Sequence, residues 1–394
     1  MSAQSLKPGW KMVKFGEVVR QCKESVDRDN NPFGRYVEGG HMDSENIHIR
    51  RWGEFGADYV GPAFHRIFRK GQVLYGSRRT YLKKVAIADF DGITANTTFV
   101  CETKDQNVFM QELLPFLMLT DSFTEHSIRE SKGSTNPYIN WPDIAKYEFP
   151  LPPLDEQKCI AEILCAVDEA VSAYQEALNH IHIVSQIRLE HTLNTLNCCE
   201  LSLPDVLSSS PESGCSAPPS SDETGHWVLS LAALSANGYV RGNLKPVAKT
   251  KKMIGATLSK GDLLISRSNT VELVGFAGIF EEDRTDVSFP DTMMRLPVNT
   301  QKALPDYLEL VLLSNRGRRH MMKTASGTSS SMKKINRKTL AEFRLPVPDL
   351  DTQKRIVSEF NEQKRHREAI ANHVSKTQRM LSLFSNETIG AAHV

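Results

Sequence analysis

No apolar run in this chain approaches the length of a membrane span. The longest, Leu113–Leu119 (LLPFLML), covers seven residues, whereas a bilayer-crossing helix needs roughly 20. The N-terminal stretch MSAQSLKPGWK has no apolar h-region, so no secretory leader is expected. The seven cysteines form no CxxC pair, and Cys198–Cys199 are merely adjacent. Neither a zinc site nor a disulfide framework is expected, and a reducing cytoplasm is the natural setting. Catalytic signatures are also scarce. There is no GxxxxGK[ST] phosphate loop, since KGST at Lys132–Thr135 lacks the leading glycine and the lysine–serine order. No GxGxxG follows a strand pattern, no HExxH occurs, and the histidines lack metal-ligand spacing. Catalytic residues and bound metals are therefore not expected.

What is present is ordinary in bulk and uneven in distribution. A hydrophobic content of 40% and a charged content of 24% suit a globular protein, and 394 residues suggest two domains. Net charge is only +1, yet basic residues bunch at 50–51, 66–70, 78–84, 249–252, 316–323 and 333–338. Locally basic surface on a neutral chain is compatible with a nucleic-acid partner, although any single cluster is more often solvated surface.

The chain repeats itself. Residues 139–164, INWPDIAKYEFPLPPLDEQKCIAEIL, align without a gap to residues 335–360, INRKTLAEFRLPVPDLDTQKRIVSEF, with ten of 26 positions identical. Upstream, RKGQVLYGSRRT (69–80) aligns with SKGDLLISRSNT (259–270), and FGEVV (15–19) with LPDVL (203–207). The chain is two copies of one unit, a duplication rather than a solenoid. The linker-like stretch 208–224 then falls inside the second copy and is expected as an exposed loop.

Each copy mixes β-type runs (VLYGS, KVAIADF, TTFVCE; DLLIS, VGFAGIF) with one helical segment, 113–127 or 306–323. FPLPP and LPVPD follow and cannot lie in mid-helix. Asp155 and Asp351 then stand as N-cap candidates before long helical periodicity. In the first helix, Ile160, Ile163, Val167, Ala170, Tyr174, Ala177, Ile181 and Val184 alternate steps of three and four, an a/d seam widened by Leu164, Val171 and Leu178. In the second, Ile356, Phe360, Ile370, Val374, Leu381 and Phe384 keep the period, with Gln363 and Arg367 interrupting it. The duplication favours an antiparallel pair.

These features resemble the specificity subunit of Type I restriction-modification systems. The resemblance is carried by Phe149-Pro-Leu-Pro-Pro-Leu-Asp-Glu-Gln157 with Ile160, and by Leu345-Pro-Val-Pro-Asp-Leu-Asp-Thr-Gln353 with Ile356. Thr352 departs from the pattern, which usually has an acidic residue there, as Glu156 is. The fold implied is α+β: two pseudo-repeated α/β target recognition modules separated by a long antiparallel two-helix coiled coil. The expected spans are 1–154 and 198–350 for the modules, with 155–197 and 351–394 for the helices and tail. The resemblance further implies that each module reads one half of a bipartite site in double-stranded DNA. The helices would dock DNA adenine methyltransferase subunits, which carry S-adenosylmethionine, and a restriction motor-nuclease subunit would complete the system. No cofactor is expected in this chain. The rival reading is an interaction scaffold whose modules bind peptide or RNA.

Candidate DNA contacts lie in the loop after the VLYG strand: Ser77, Arg78, Arg79, Thr80, Tyr81, Lys83 and Lys84. Arg267, Ser268, Asn269 and Thr270 hold the matching place. Arginine and asparagine can bond base edges bidentately, while lysine and hydroxyl side chains reach phosphates. Ser134, Ser330 and Lys333, in the polar loops before Ile139 and Ile335, are further candidates. Asn31-Pro32-Phe33 and Asn136-Pro137-Tyr138 resemble the (N/D)PP(Y/F) motif of adenine methyltransferases but lack its second proline, so turns are expected at both.

Overall fold

The computed structural model describes residues 6–27, 30–56, 60–215, 220, 224–248, 250–327 and 332–390. The chain forms two compact units, Met1–Gln175 with Asn372–Val394, and Glu176–Ala371. The long helices span Leu154–Thr195 and Leu350–Thr388, within a few residues of expectation. Each helix is nevertheless shared between the two units, because each unit builds its core on part of both helices.

In the first unit, Val19–Cys22, Thr98–Thr103, Val73–Gly76 and Val85–Ile87 form an antiparallel sheet in that order. A second sheet orders Gly53–Glu54, Arg35–Val37, Gly92–Ala95 and Phe64–Phe68, with Arg35–Val37 parallel to Gly92–Ala95. Lys11–Lys14 pairs with Glu148–Leu151, whose sequence is EFPL. The second unit repeats this plan. Glu212–Ser213, Met293–Leu296, Leu263–Ser266 and Ala277–Ile279 form one sheet. Trp227–Leu229 pairs with Leu244–Pro246 and runs parallel to Val287–Ser288, and Glu200–Ser202 pairs with Arg344–Pro346. The Lys-Gly turns before the central strands place Gly71 and Gly261 at φ +88° and +97°, a region costly for any residue with a Cβ. VLYG and LLIS are buried along their whole length, which explains why they read as continuous apolar runs. Residues 212–213 lie in a sheet of the second unit, so the described part of 208–224 belongs to that unit; 216–219 and 221–223 lie outside the described residues.

The expected helices over 113–127 and 306–323 are each two helices. They run Leu114–Leu119 then Asp121–Arg129, and Pro305–Leu313 then Asn315–Thr324. Thr120 and Ser314 leave helical geometry at equivalent positions, and each hydroxyl accepts an N–H from the next turn, Phe123 and Gly317 respectively. That is N-capping, which turns the chain and starts a new helix. His126 and His320 lie on these second helices and bond the carbonyls of Asp143 and Thr339 at 2.9 Å each. The N-cap expectation at Asp155 and Asp351 is also corrected. Both residues lie in the first turn, where a carboxylate suits the helix dipole. The side chain that accepts the N–H groups of Asp351 and Thr352 is Asp349, and the proline Pro153 stands at the equivalent place in the first copy.

Within each unit the two helix segments run antiparallel. In the second, Arg188 pairs with Glu359 at 2.5 Å, Ser185 with Gln363 at 3.1 Å and His182 with Arg367 at 3.1 Å. In the first, Leu164 packs in the cluster that holds Leu381, Phe384 and Ile389. The seam of the second helix follows the expected residues, with Ile356, Phe360 and Val374 buried. The first seam is rotated. Ile163, Tyr174 and Val184 are 49%, 44% and 62% exposed, whereas Leu164, Val171 and Leu189 are buried. The buried row also carries Asp168, Gln175 and His182. It tolerates them because His48, Arg50 and Arg367 bond to them.

Candidate nucleic-acid interface

The candidate segments converge in each unit. In the first, a β-bridge joins Arg78 to Tyr138, Arg79 N–H donates to the Pro137 carbonyl at 2.6 Å, and Ile139 N–H to the Ser77 carbonyl at 2.9 Å. Lys132 and Tyr138 exchange both backbone hydrogen bonds, closing a hairpin whose tip carries Gly133, Ser134 and Asn136. The loop after the VLYG strand and the polar loop before Ile139, some 55 residues apart in sequence, thus lie side by side. In the second unit Ser268–Asn269 pairs with Lys333–Lys334, Ile335 N–H donates to the Arg267 carbonyl, and Ser326 and Lys334 close the matching hairpin. The ungapped match of Ser77-Arg-Arg-Thr80 to Arg267-Ser-Asn-Thr270 therefore holds in three dimensions.

Side chains divide sharply by accessibility. Arg78 is exposed, its guanidinium carbon 5.9 Å from the Tyr138 ring centroid. Arg79, Tyr81 and Ser134 are exposed as well. Ser77 is buried, its hydroxyl donating to the Thr97 carbonyl at 2.7 Å, and Thr80 is buried with its hydroxyl 3.4 Å from that of Ser131. Both shape the loop from within. Lys83 bonds Asp121 at 2.6 Å and Glu45 at 3.2 Å. Burial opposes its charge, but these two carboxylates hold it above the ordinary lysine range. Lys84 is turned back onto the Gly39 carbonyl. In the second unit Arg267, Asn269 and Thr270 are partly exposed and Ser268 is buried. The Asn269 amide oxygen accepts the Thr270 N–H at 2.9 Å, which leaves its NH2 group directed elsewhere. Lys333 donates to the Gly327 carbonyl at 2.8 Å, and Ser330 lies outside the described residues.

Backbone geometry marks the same place. The non-glycine residues at positive φ among those described are Glu45, Arg79 and Lys83, at 55°, 49° and 46°. Glu45 N–H donates to the Lys83 carbonyl, so one strained pair of loops holds all three. Such strain persists only where neighbours over-determine it, and it gathers at functional sites.

Sequence reasoning missed Tyr138 as a partner of Arg78. The signal was the aromatic in Asn136-Pro137-Tyr138, read only as a turn. That turn is real, since Pro137 accepts from Arg79 within the hairpin; Asn31 likewise forms a side-chain turn, accepting the Phe33 N–H at 3.0 Å. Among the described residues no group of three His, Cys, Asp or Glu side chains is placed to hold a metal ion, and no helix is long and apolar enough to cross a membrane.

Each unit has a second feature, a cleft between its helix segments and its first short helix. In the first unit a cavity of about 570 Å³ is lined by Phe116, Leu119 and Asp168, with His48 bonding Asp168 at 2.7 Å. The equivalent cleft of the second, about 60 Å³, is lined by Leu310, Leu313 and Lys364.

Comparison with known proteins places this arrangement. Along 25% identity, 276 residues match the EcoKI specificity subunit of Escherichia coli K12, covering 64% of this chain and 59% of that one. The EcoDI specificity subunit of Escherichia coli is 25% identical over 186 residues, 46% of this chain and 41% of its own. The matches thus span only about half the length of these relatives. The solved Type I restriction-modification S subunit of M. genitalium shares the fold over 99% of both chains, with a TM-score of 0.53 at 12% identity. The profile of the Type I restriction modification DNA specificity domain matches residues 8–182 and 237–372, most of the chain in two copies, and the protein belongs to that family.

Proposed function

We propose that this chain is the DNA-reading, non-catalytic subunit of a Type I methyltransferase complex, each unit reading one half of a bipartite site. The observation that carries this is the repeated pair of loops. Register and anchoring are the same in both units, but the side chains that reach the surface differ, Arg78 and Arg79 against Arg267 and Asn269. A fixed frame with a changed reading head is what two different half-sites require. Arg78, Arg79, Tyr81 and Ser134 supply the first head, and Arg267, Asn269, Thr270 and Lys333 the second. Arginine would take guanine edges and the Asn269 amide, through its NH2 group, an adenine edge, with hydroxyls and lysines on phosphates. The mixed short sheets serve as rigid mounts.

Docking of adenine methyltransferase subunits, which bring S-adenosylmethionine and the chemistry, is assigned to the helices. Support comes from exposed Ile183, Val184 and Ile187, 52–62% accessible on a helix whose buried row lies elsewhere, and from a cleft recurring at the same place in each copy. A restriction motor-nuclease subunit would join the same assembly, in the cytoplasm with the host DNA.

The test is the methylated sequence of a host carrying the complete system. Arg78→Ala or Arg79→Ala is expected to relax one half of the site, and Arg267→Ala or Asn269→Ala the other, each base-edge contact being worth about 1–3 kcal/mol. Both sets altering the same half would refute the assignment of one unit to one half-site. DNA binding that lacks sequence preference and salt sensitivity would favour the scaffold reading instead, with peptide or RNA as the ligand of the modules.

A further inference from the structure

The loop that carries Arg267, Asn269 and Thr270 joins Leu263–Ser266 to Ala277–Ile279 and is closed at its base, Ser266 and the residues 275–276 exchanging hydrogen bonds of 2.7 and 2.8 Å. Its outgoing limb is pinned by pairing with Lys333–Lys334. Its returning limb has no strand partner among the described residues. There Thr270 accepts N–H bonds from Leu273 and Val274 at 3.2 and 2.9 Å, forming a turn whose tip leaves Leu273 exposed.

One side chain grips that limb from outside the loop. Arg318, on Asn315–Thr324, donates Nη1 to the Val274 carbonyl at 2.6 Å and Nη2 to the Glu272 carbonyl at 2.7 Å. Its guanidinium carbon lies 4.1 Å from the Phe276 ring centroid. Helix and loop are in direct contact, because a Cβ at Gly275 would come within 2.5 Å of Met321 Cβ, and Gly275 stands at φ +79°. No carboxylate pairs with Arg318 among the described ion pairs, and burial pushes it down to about 10, still charged at neutral pH. A half-buried cation held only by carbonyls and a ring loses part of its hydration without a counter-charge to offset it. It is retained where a planar two-pronged donor is needed, and lysine cannot reproduce that fork. The first unit does the job differently. Thr124 stands at the place equivalent to Arg318, and the loop's own Lys83 reaches Asp121 on the matching helix.

We infer that Arg318 is a positioning residue that sets the shape of the recognition loop 267–275, and through it the base preference of the second unit. This rests on the proposed DNA-reading function. Two other roles would look different. A phosphate ligand would weaken all sequences alike and flatten the salt dependence, and a merely structural residue would lower stability without changing preference.

The experiment uses the assembled methyltransferase complex with Arg318→Met or Arg318→Lys, on DNA randomised across both half-sites and at several salt concentrations. Base preference at the half-site that Asn269→Ala relaxes is expected to fall about tenfold per affected position with Arg318→Met. Arg318→Lys should regain part of it, since an ammonium can reach one of the two carbonyls. The other half-site and the salt slope should not change. Unchanged preference in a folded complex overturns the inference, as does a uniform loss with a shallower salt slope. If Arg318→Met fails to assemble, Arg318→Lys decides alone, because intact preference with the fork broken refutes positioning. A wild-type complex with no base preference would instead refute the DNA-reading function itself, a result independent of Arg318.

Discussion

Replacing Gln157 by leucine is expected to destabilise the first unit at a place far from its candidate reading head. Gln157 is 1% exposed. Its Oε1 accepts the Met110 N–H at 3.0 Å, and its Nε2 donates to the carbonyls of Val108 and Pro152, both at 2.9 Å. Gln353 repeats the arrangement with the Leu304 N–H and the carbonyls of Lys302 and Pro348. One amide therefore ties the start of each long helix to the segment that leads into the short helices, which is the physical reason for a glutamine in the Pro-x-Pro-x-x-x-x-Gln pattern. Leucine fills the space but leaves one N–H and two carbonyls unpaired. At about 1 kcal/mol per lost partner, with incomplete access of water, the cost is about 2–4 kcal/mol. A unit of this size loses about 2–4 °C per kcal/mol, so its transition should fall by about 4–16 °C. Calorimetry with amide hydrogen exchange checks both parts: Met110 should lose protection in Gln157→Leu while Leu304 keeps it. Gln157→Glu sharpens the test. A carboxylate facing two carbonyls is pushed up in pKa, so the folded form binds the proton more tightly than the unfolded form, and the variant should gain stability as pH falls from 7 toward 5. Unchanged melting and unchanged Met110 protection in Gln157→Leu would refute the reasoning.

Other expectations follow from repeated positions whose chemistry differs. Arg20 faces Glu102 across one sheet, with Gln72 bonding the carboxylate, whereas Glu212 faces Arg295 in the other, with Asp262 on the arginine. Glu212→Arg alone should cost about 1–3 kcal/mol by setting two cations together. The triple change with Arg295→Glu and Asp262→Gln, which copies the first unit, should recover most of that in denaturant titrations. Glu309, which accepts the Ile279 N–H at 3.0 Å, is pushed up to about 7, chiefly by burial. Its folded pKa exceeds the unfolded value near 4.3, so stability should decline as pH rises between these values and level off above 7. Glu309→Gln should flatten that slope in thermal melts from pH 5 to 8. Val184→Glu with Ile187→Lys should abolish methylation by the assembled complex and leave both units folded by circular dichroism. Normal methylation would show that this face docks nothing.

The duplication, the two long helices and the matching places of the two candidate loops were legible in sequence because each depends on local pattern. Proline ends helices, a Lys-Gly turn precedes a buried apolar strand, and an ungapped match of 26 residues preserves register whatever surrounds it. Three things were decided only by tertiary structure. The seam of the first helix lies on the row with Asp168, Gln175 and His182 rather than on that with Ile163, Tyr174 and Val184. Hydrophobicity alone favours the second row, and the outcome turns on His48, Arg50 and Arg367, whose positions along the chain carry no periodic signal. Thr120 and Ser314 break what reads as one helix, because a hydroxyl's choice between the helix surface and an N-cap depends on where the chain must go next. In the loop after the VLYG strand, residue type alone named both Ser77 and Arg78, but pairing with residues 137–139 turns one hydroxyl inward to Thr97 and leaves the next side chain out beside Tyr138. Which polar groups face water, and are free to meet DNA, is a property of pairing between distant segments.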